Sequence, residues 1–79
     1  RADAKQRLKE GQLSFAELLD AAETDDILNN TKILTILESL PGVGKVKARR
    51  TMEAIGIAES RRIRGLGDNQ RRRLLAAFG

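Results

Sequence analysis

The chain has 79 residues, 41% of them hydrophobic and 33% charged, which suits one small globular domain better than disorder. A unit of this size buries only about 60% of the surface its unfolded form exposes, so its core is thin. Net charge is +4, but the split is uneven: residues 1–40 carry five basic and eight acidic side chains (net −3), residues 41–79 ten basic and three acidic (net +7). Cysteine and histidine are absent, which excludes disulfides, the usual zinc ligand sets and imidazole or thiol catalysis. The longest apolar runs, such as residues 74–78, fall far short of a membrane span, and no signal-peptide pattern opens the chain, so a cytoplasmic home is expected. The chain opens at Arg1 without Met, and a longer natural N-terminus is expected.

Apolar spacing is helical along the whole chain, and with no sustained period-two alternation no strand is expected. A charged first helix is predicted over residues 4–10, ending near Gly11 as its C-cap. Ser14 and Glu17 have the spacing of a capping box and open a helix that presents Phe15, Leu18, Leu19 and Ala22. Thr24, Asp25 and Asp26 mark the start of a short helix carrying Ile27 and Leu28, interrupted at Asn29 and Asn30. Thr31 is read as the cap of a helix whose Ile33, Leu37 and Leu40 share a face. Pro41 ends it, because the residue before a proline is pushed out of the α region.

Beyond a hairpin at residues 42–44, the next helix is predicted to run to about Ile55, with Ala48, Thr51, Met52 and Ile55 on one side and Lys47, Arg49, Arg50 and Glu53 outside it. Val46 falls on the polar side, and core packing does not account for it. Gly56 closes this helix, with Ile57 placed for the apolar contact of a Schellman cap. A short turn over residues 59–63 leads to Gly65-Leu66-Gly67. Asp68 is read as the cap of the last helix, whose Leu74, Leu75 and Phe78 form its buried stripe. The fold class is therefore all-α.

The sharpest functional signal is Leu40-Pro41-Gly42-Val43-Gly44-Lys45. Two glycines flanking an aliphatic residue between helices permit a tight turn while Val43 anchors it in the core. Successive N–H groups at the positive end of the following helix dipole then form a nest for a phosphate oxygen, with Lys45 and Lys47 beside it. The alternative is a tight connection without a ligand; the adjacent lysines favour the phosphate reading. Downstream, Arg61, Arg62 and Arg64 surround the inward anchors Ile63 and Leu66. Three guanidinium groups on a short connection repel one another, so an anionic partner explains their grouping, with a solvated surface as the alternative. Gly65 and Gly67 are read as a second backbone-amide turn.

Arg71, Arg72 and Arg73 lie early in the last helix, where the dipole disfavours positive charge; Arg71 also lies on the side of Leu74 and Leu75 and serves equally as an edge to the core. The only aromatics, Phe15 and Phe78, sit on apolar faces, so the stacking platform of a single-strand binder is missing and duplex is the better partner. Asp20, Glu23, Asp25 and Asp26 are read as helix starts and a solvated face, so no enzyme activity, metal or cofactor is expected.

Over residues 34–78 the pattern closely resembles the actinobacterial integration host factor family, of mycobacterial and streptomycete type. The likeness is carried by Leu40-Pro41-Gly42-Val43-Gly44-Lys45-Val46-Lys47-Ala48, Gly56-Ile57-Ala58 and Arg61-Arg62-Ile63-Arg64-Gly65-Leu66-Gly67. The resemblance implies an N-terminal helical segment (residues 1–30) followed by a helix-two-turn-helix unit (residues 31–79). It also implies a nucleoid-associated, largely sequence-tolerant protein that binds, bends or compacts double-stranded DNA and assists phage integrase complexes, with a monomer expected. By position it implicates the Gly42-Val43-Gly44 turn and Arg61, Arg62 and Arg64. The basic N-terminal helix of that family is mostly absent here, which implies weaker binding than in a chain that carries it.

Two neighbouring families share the hairpin. A ribosomal small-subunit protein has the Gly-aliphatic-Gly turn and the later Gly-Ile and uses them against RNA, which makes structured RNA the second partner class. Helix-hairpin-helix glycosylases carry a catalytic lysine two positions after the second glycine, and here that position is Val46. A protein-protein scaffold with an acidic partner is a third reading.

Overall fold

In a computed structural model of the chain, residues 2–78 are described, with side chains from residue 6 onward. Arg1 and Gly79, at the outer ends of the two expected segments, lie outside the described residues. The element order is α1 (Ala2–Lys9), α2 (Phe15–Ala22), α3 (Asp26–Asn29), α4 (Ile33–Glu38), α5 (Lys45–Ile55), a 3-10 turn (Ile63–Gly65) and α6 (Asp68–Phe78). Among the described residues there is no strand, and the one sheet-like feature is an isolated antiparallel bridge between Lys32 and Arg62.

Each helix boundary has a local cause. The first helix ends on Gly11, whose positive φ of 75° suits glycine. Ser14 accepts from the Glu17 amide at 3.1 Å while Glu17 accepts from the Ser14 amide at 2.9 Å, so the capping box forms as its spacing predicts. Asp25 caps α3 by accepting from the Ile27 and Leu28 amides at 3.0 and 3.1 Å. At the end of α5, Gly56 is left-handed with φ 89°; its amide donates to the Glu53 carbonyl at 3.1 Å and that of Ile57 to the Met52 carbonyl at 2.8 Å, the two bonds of a Schellman closure.

Two caps differ from the sequence reading. Lys32, not Thr31, is the extended residue that enters α4; the Thr31 hydroxyl turns back and donates to the Ile27 carbonyl at 3.1 Å. Asp68 is already helical, and the first α6 hydrogen bond runs from the Arg71 amide to the Gly67 carbonyl, so Gly67 holds the cap position. The Gly67 amide in turn donates to the Gln70 side chain at 3.1 Å, which is half of a capping box built without a hydroxyl.

One core joins all the helices. Leu8 from α1, Phe15, Leu18, Leu19 and Ala22 from α2, Leu28 from α3, and Ile33, Ile36 and Leu37 from α4 are buried together with Ala48, Met52, Ile57, Ile63 and Leu74. Leu75 and Phe78, read as buried, are only partly so, and the Phe78 ring meets Phe15 edge-on at 6.4 Å. Helix α2 packs against α3, α6 and the 3-10 turn, while α5 packs against α4 and α6. Both glycine turns are thereby mounted on one body.

The capping box supplies a pH-dependent prediction. Hydrogen bonds from the backbone and side chain of Ser14 hold the Glu17 carboxyl below its ordinary value of 4.5, with a smaller attraction from Arg7. A lowered folded-state value means the box contributes fully above that ordinary value and fades as pH falls through the lower folded one. Replacing Ser14 with Ala is expected to cost about 1 kcal/mol at neutral pH. The variant keeps the Ser14 amide, the larger influence on Glu17, so only the smaller part of the deficit that rests on the lost hydroxyl should fade in thermal melts taken well below pH 4.5.

Candidate nucleic-acid interface

The hairpin between α4 and α5 starts with Gly42 at φ 75°, a conformation that only glycine adopts without strain. The Val43 amide is used inside the turn, donating to the Leu40 carbonyl at 3.2 Å, and its side chain packs against the core. Gly44 then takes an extended φ of −88° as the N-cap of α5, with no side chain to satisfy the helix end. The ladder of α5 begins with the Ala48 amide donating to Gly44, so the amides of Lys45, Val46 and Lys47 stand outside it. The open amides therefore lie in the first turn of α5, directly after the Gly42-Val43-Gly44 turn. A Cβ built on Gly44 would meet nothing within 4 Å, so the surface over this helix end is open. Lys45 and Lys47 are exposed beside it, and so is Val46, with 63% of its surface accessible.

The second glycine turn differs from expectation in a decisive way. The amides of Gly65 and Leu66 donate to the carbonyls of Arg62 and Ile63 at 2.9 and 3.1 Å, and that of Gly67 is held by Gln70. No open amide nest forms there, because a 3-10 turn followed by a helix cap consumes its own donors. Its offering is cationic. Arg64 is exposed. Arg61 is half-buried and folds over the turn, its guanidinium donating to the Gly65 carbonyl at 2.8 Å. Arg62 donates to the Asn30 carbonyl at 2.6 Å, tying the turn to the end of α3. Arg71 is half-buried while Arg72 and Arg73 are exposed, so the first of these edges the core with its stem.

Backbone pairing places this second turn. The Ile33 amide donates to the Arg61 carbonyl at 2.9 Å and the Ile63 amide to the Thr31 carbonyl at 3.0 Å. Lys32 is thereby fixed opposite Arg62 and joins the basic surface, although it belongs to the acidic half of the sequence. On the far side of Lys32, an open concavity of about 380 Å³ also receives Lys45, Arg49 and Ser60. Lys32 and Arg49 were not legible as site residues; the available signal was the spacing of Arg49 one helical turn after Lys45. The carboxylates Asp20, Glu23, Asp25 and Asp26 are all exposed on α2, α3 and their connection. Asp25 is engaged as the α3 cap, and no group among the described residues is arranged to hold a metal ion.

The S13-like H2TH domain family matches residues 8–78. Proteins named integration host factor share the whole chain: that of Mycobacterium tuberculosis is 49% identical over 79 residues, covering 100% of this chain and 75% of the relative. That of Streptomyces coelicolor is 48% identical, covering 100% and 74%. The chain belongs to the actinobacterial integration host factor family. The Mycolicibacterium smegmatis member is 50% identical over 78 residues, covering 99% of this chain and 74% of its own. A solved family structure, described as sIHF bound to an 8-bp palindromic DNA, superimposes with a TM-score of 0.94 at 48% identity, covering 100% of this chain and 89% of that one. The all-α architecture expected from the sequence is therefore that of the family. No helix among the described residues is long and apolar enough to cross a membrane.

The second turn yields a test of its internal bonding. A Cβ at Gly65 would lie 2.9 Å from the Arg61 Cδ, in the middle of the arginine stem. Gly65→Ala should therefore dislodge Arg61 from the turn and lower stability by about 1 kcal/mol, the worth of one hydrogen bond to a charged group less its partial replacement by water. A change in the Arg61 guanidinium resonances relative to wild type would register the displacement in an NMR spectrum.

Proposed function

We propose that this chain is a non-enzymatic, nucleoid-associated protein that grips the backbone of double-stranded DNA with little regard to sequence. In this reading residues 31–79 form the binding unit, and residues 1–30 supply part of its core and an acidic flank. The open amides of Lys45, Val46 and Lys47 take one phosphate, with Gly42, Val43 and Gly44 shaping the approach and the ammonium groups of Lys45 and Lys47 adding charge. Arg64 takes another. Arg61 and Arg62 hold the Gly65–Gly67 turn in place and present their remaining N–H groups to the same strand, with Arg71 at its margin. The observation that carries the reading is the coincidence of an unsatisfied, unobstructed helix start with a full-length likeness to a relative solved on DNA.

The Cα trace extends 28 Å along its longest axis, and with side chains at both ends it spans roughly one turn of duplex, about 34 Å, so one molecule touches a limited arc of backbone. Two phosphate-holding turns on a rigid body favour a curved phosphate track. Bending or compaction of the duplex follows, with deformation energy offset by the added contacts. Assistance to site-specific recombination, including phage integrase complexes, is the corresponding role, carried out by a monomer in the cytoplasmic nucleoid.

With about five or six phosphate contacts, affinity for random duplex should fall roughly three orders of magnitude between 50 and 200 mM salt. Gly44→Ala separates fold from binding, since its φ of −88° is allowed to any residue and the Cβ meets no protein atom. The variant is expected to lose less than about 1 kcal/mol of stability at the helix cap, yet to bind duplex at least tenfold more weakly because the Cβ obstructs the phosphate. Undiminished affinity in Gly44→Ala, or tighter binding of folded RNA than of duplex DNA in the same titration, would overturn the proposal.

A further inference from the structure

We propose that the concavity between α4 and α5 is a second phosphate seat, and that Glu59 guards it by holding Arg49 until a backbone phosphate takes the carboxylate's place. This rests on the duplex-binding reading and adds residues which that reading does not use. Three cations converge from two segments, Lys32 at the entrance to α4 and Lys45 and Arg49 one turn apart on α5, and Ser60 lines the same concavity. Lys32 is placed there by the backbone bridge to Arg62, so its backbone is fixed to the wall of the seat. Two carboxylates, Glu38 and Glu59, share the concavity, which leaves it one positive charge in excess. One phosphate of the DNA backbone carries the charge that balances it.

The arrangement of the ion pair decides how the seat works. The Arg49 Nε lies 3.3 Å from the Glu59 Oε1, and the two side chains are 55% and 64% exposed. A contact this exposed is screened and weak, so its loss is a small barrier. A phosphate offers several acceptor oxygens to the planar fork of the guanidinium and is the better ligand for it. Lys45 belongs both to the concavity and to the open first turn of α5, and Arg49 lies one helical turn, about 5.4 Å, farther along. A strand whose phosphate rests on the α5 amides therefore passes the seat as it continues along the helix. Glu59 lowers the affinity of this passage without closing it.

The test is a binding titration of the full chain against random-sequence duplex DNA across a range of salt concentrations, using Glu59→Gln, Arg49→Ala, the double variant, and Glu23→Gln as a charge-matched control outside the concavity. Glu59→Gln is expected to bind roughly two- to fivefold more tightly than Glu23→Gln, the range set by an exposed ion pair. Arg49→Ala is expected to reduce the slope of log affinity against log salt by about 0.9, and the gain from Glu59→Gln should vanish in the double variant. Equal affinities for the two glutamine variants would overturn the proposal, as would a Glu59→Gln gain that survives removal of Arg49. Failure of the wild-type chain to bind duplex at all is a different result, because it overturns the duplex reading and removes the source of the phosphate with it.

Discussion

Two backbone hydrogen bonds, Ile33 to Arg61 and Ile63 to Thr31, position the basic surface proposed to meet DNA. They join segments some thirty positions apart and create the Lys32–Arg62 bridge in a fold that is otherwise helical. Without them the 3-10 turn would be a loop whose arginines could point anywhere. With them, Ile63 is buried on a turn packed against α2 and α3, and the arginine-bearing turn is fixed relative to the hairpin that opens α5. The Arg62 guanidinium reinforces the joint by reaching the Asn30 carbonyl. A residue that looks from its charge like a ligand is thus also a strut.

The two glycine turns, alike in sequence, do different physical work. At Gly42-Val43-Gly44 the chain leaves a helix start without any side-chain cap, and its amides remain open to an anion. At Gly65-Leu66-Gly67 the amides are consumed by the 3-10 turn and by Gln70, which leaves the guanidinium groups as its contribution. The first turn therefore offers a polyanion directed dipoles, and the second offers delocalised charge. The acidic side chains of α2 and α3 disfavour any approach of the same polyanion from their side.

Much of the fold was legible because its causes are local. The Ser14–Glu17 box, the Asp25 cap and the Gly56–Ile57 closure each depend on residues within five positions, and periodicity identified Ala48, Met52 and Leu74 as inward. The exposed Val46 also matched its register. The misread caps share a cause: Thr31 and Asp68 were credited with side-chain caps, but Lys32 and Gly67, neither of which has a capping side chain of its own, took those positions. What composition and spacing did not disclose was non-local, namely the bridge, the placement of Lys32 on the basic surface, and the internal partners of Arg61 and Arg62. Charge clusters read from a sequence count cations; only the fold says which of them are already occupied.

A duplex backbone resting on the exposed amides at the start of α5 and on the cations around the second turn would leave a residue-by-residue trace. The most direct measurement is a titration of isotope-labelled protein with a short random-sequence duplex, following every backbone amide by NMR. The largest shifts are expected on residues 44–47 and 61–67, with α2 and α3 nearly silent. Shifts concentrated on the acidic helices, with those two stretches unmoved, would contradict it.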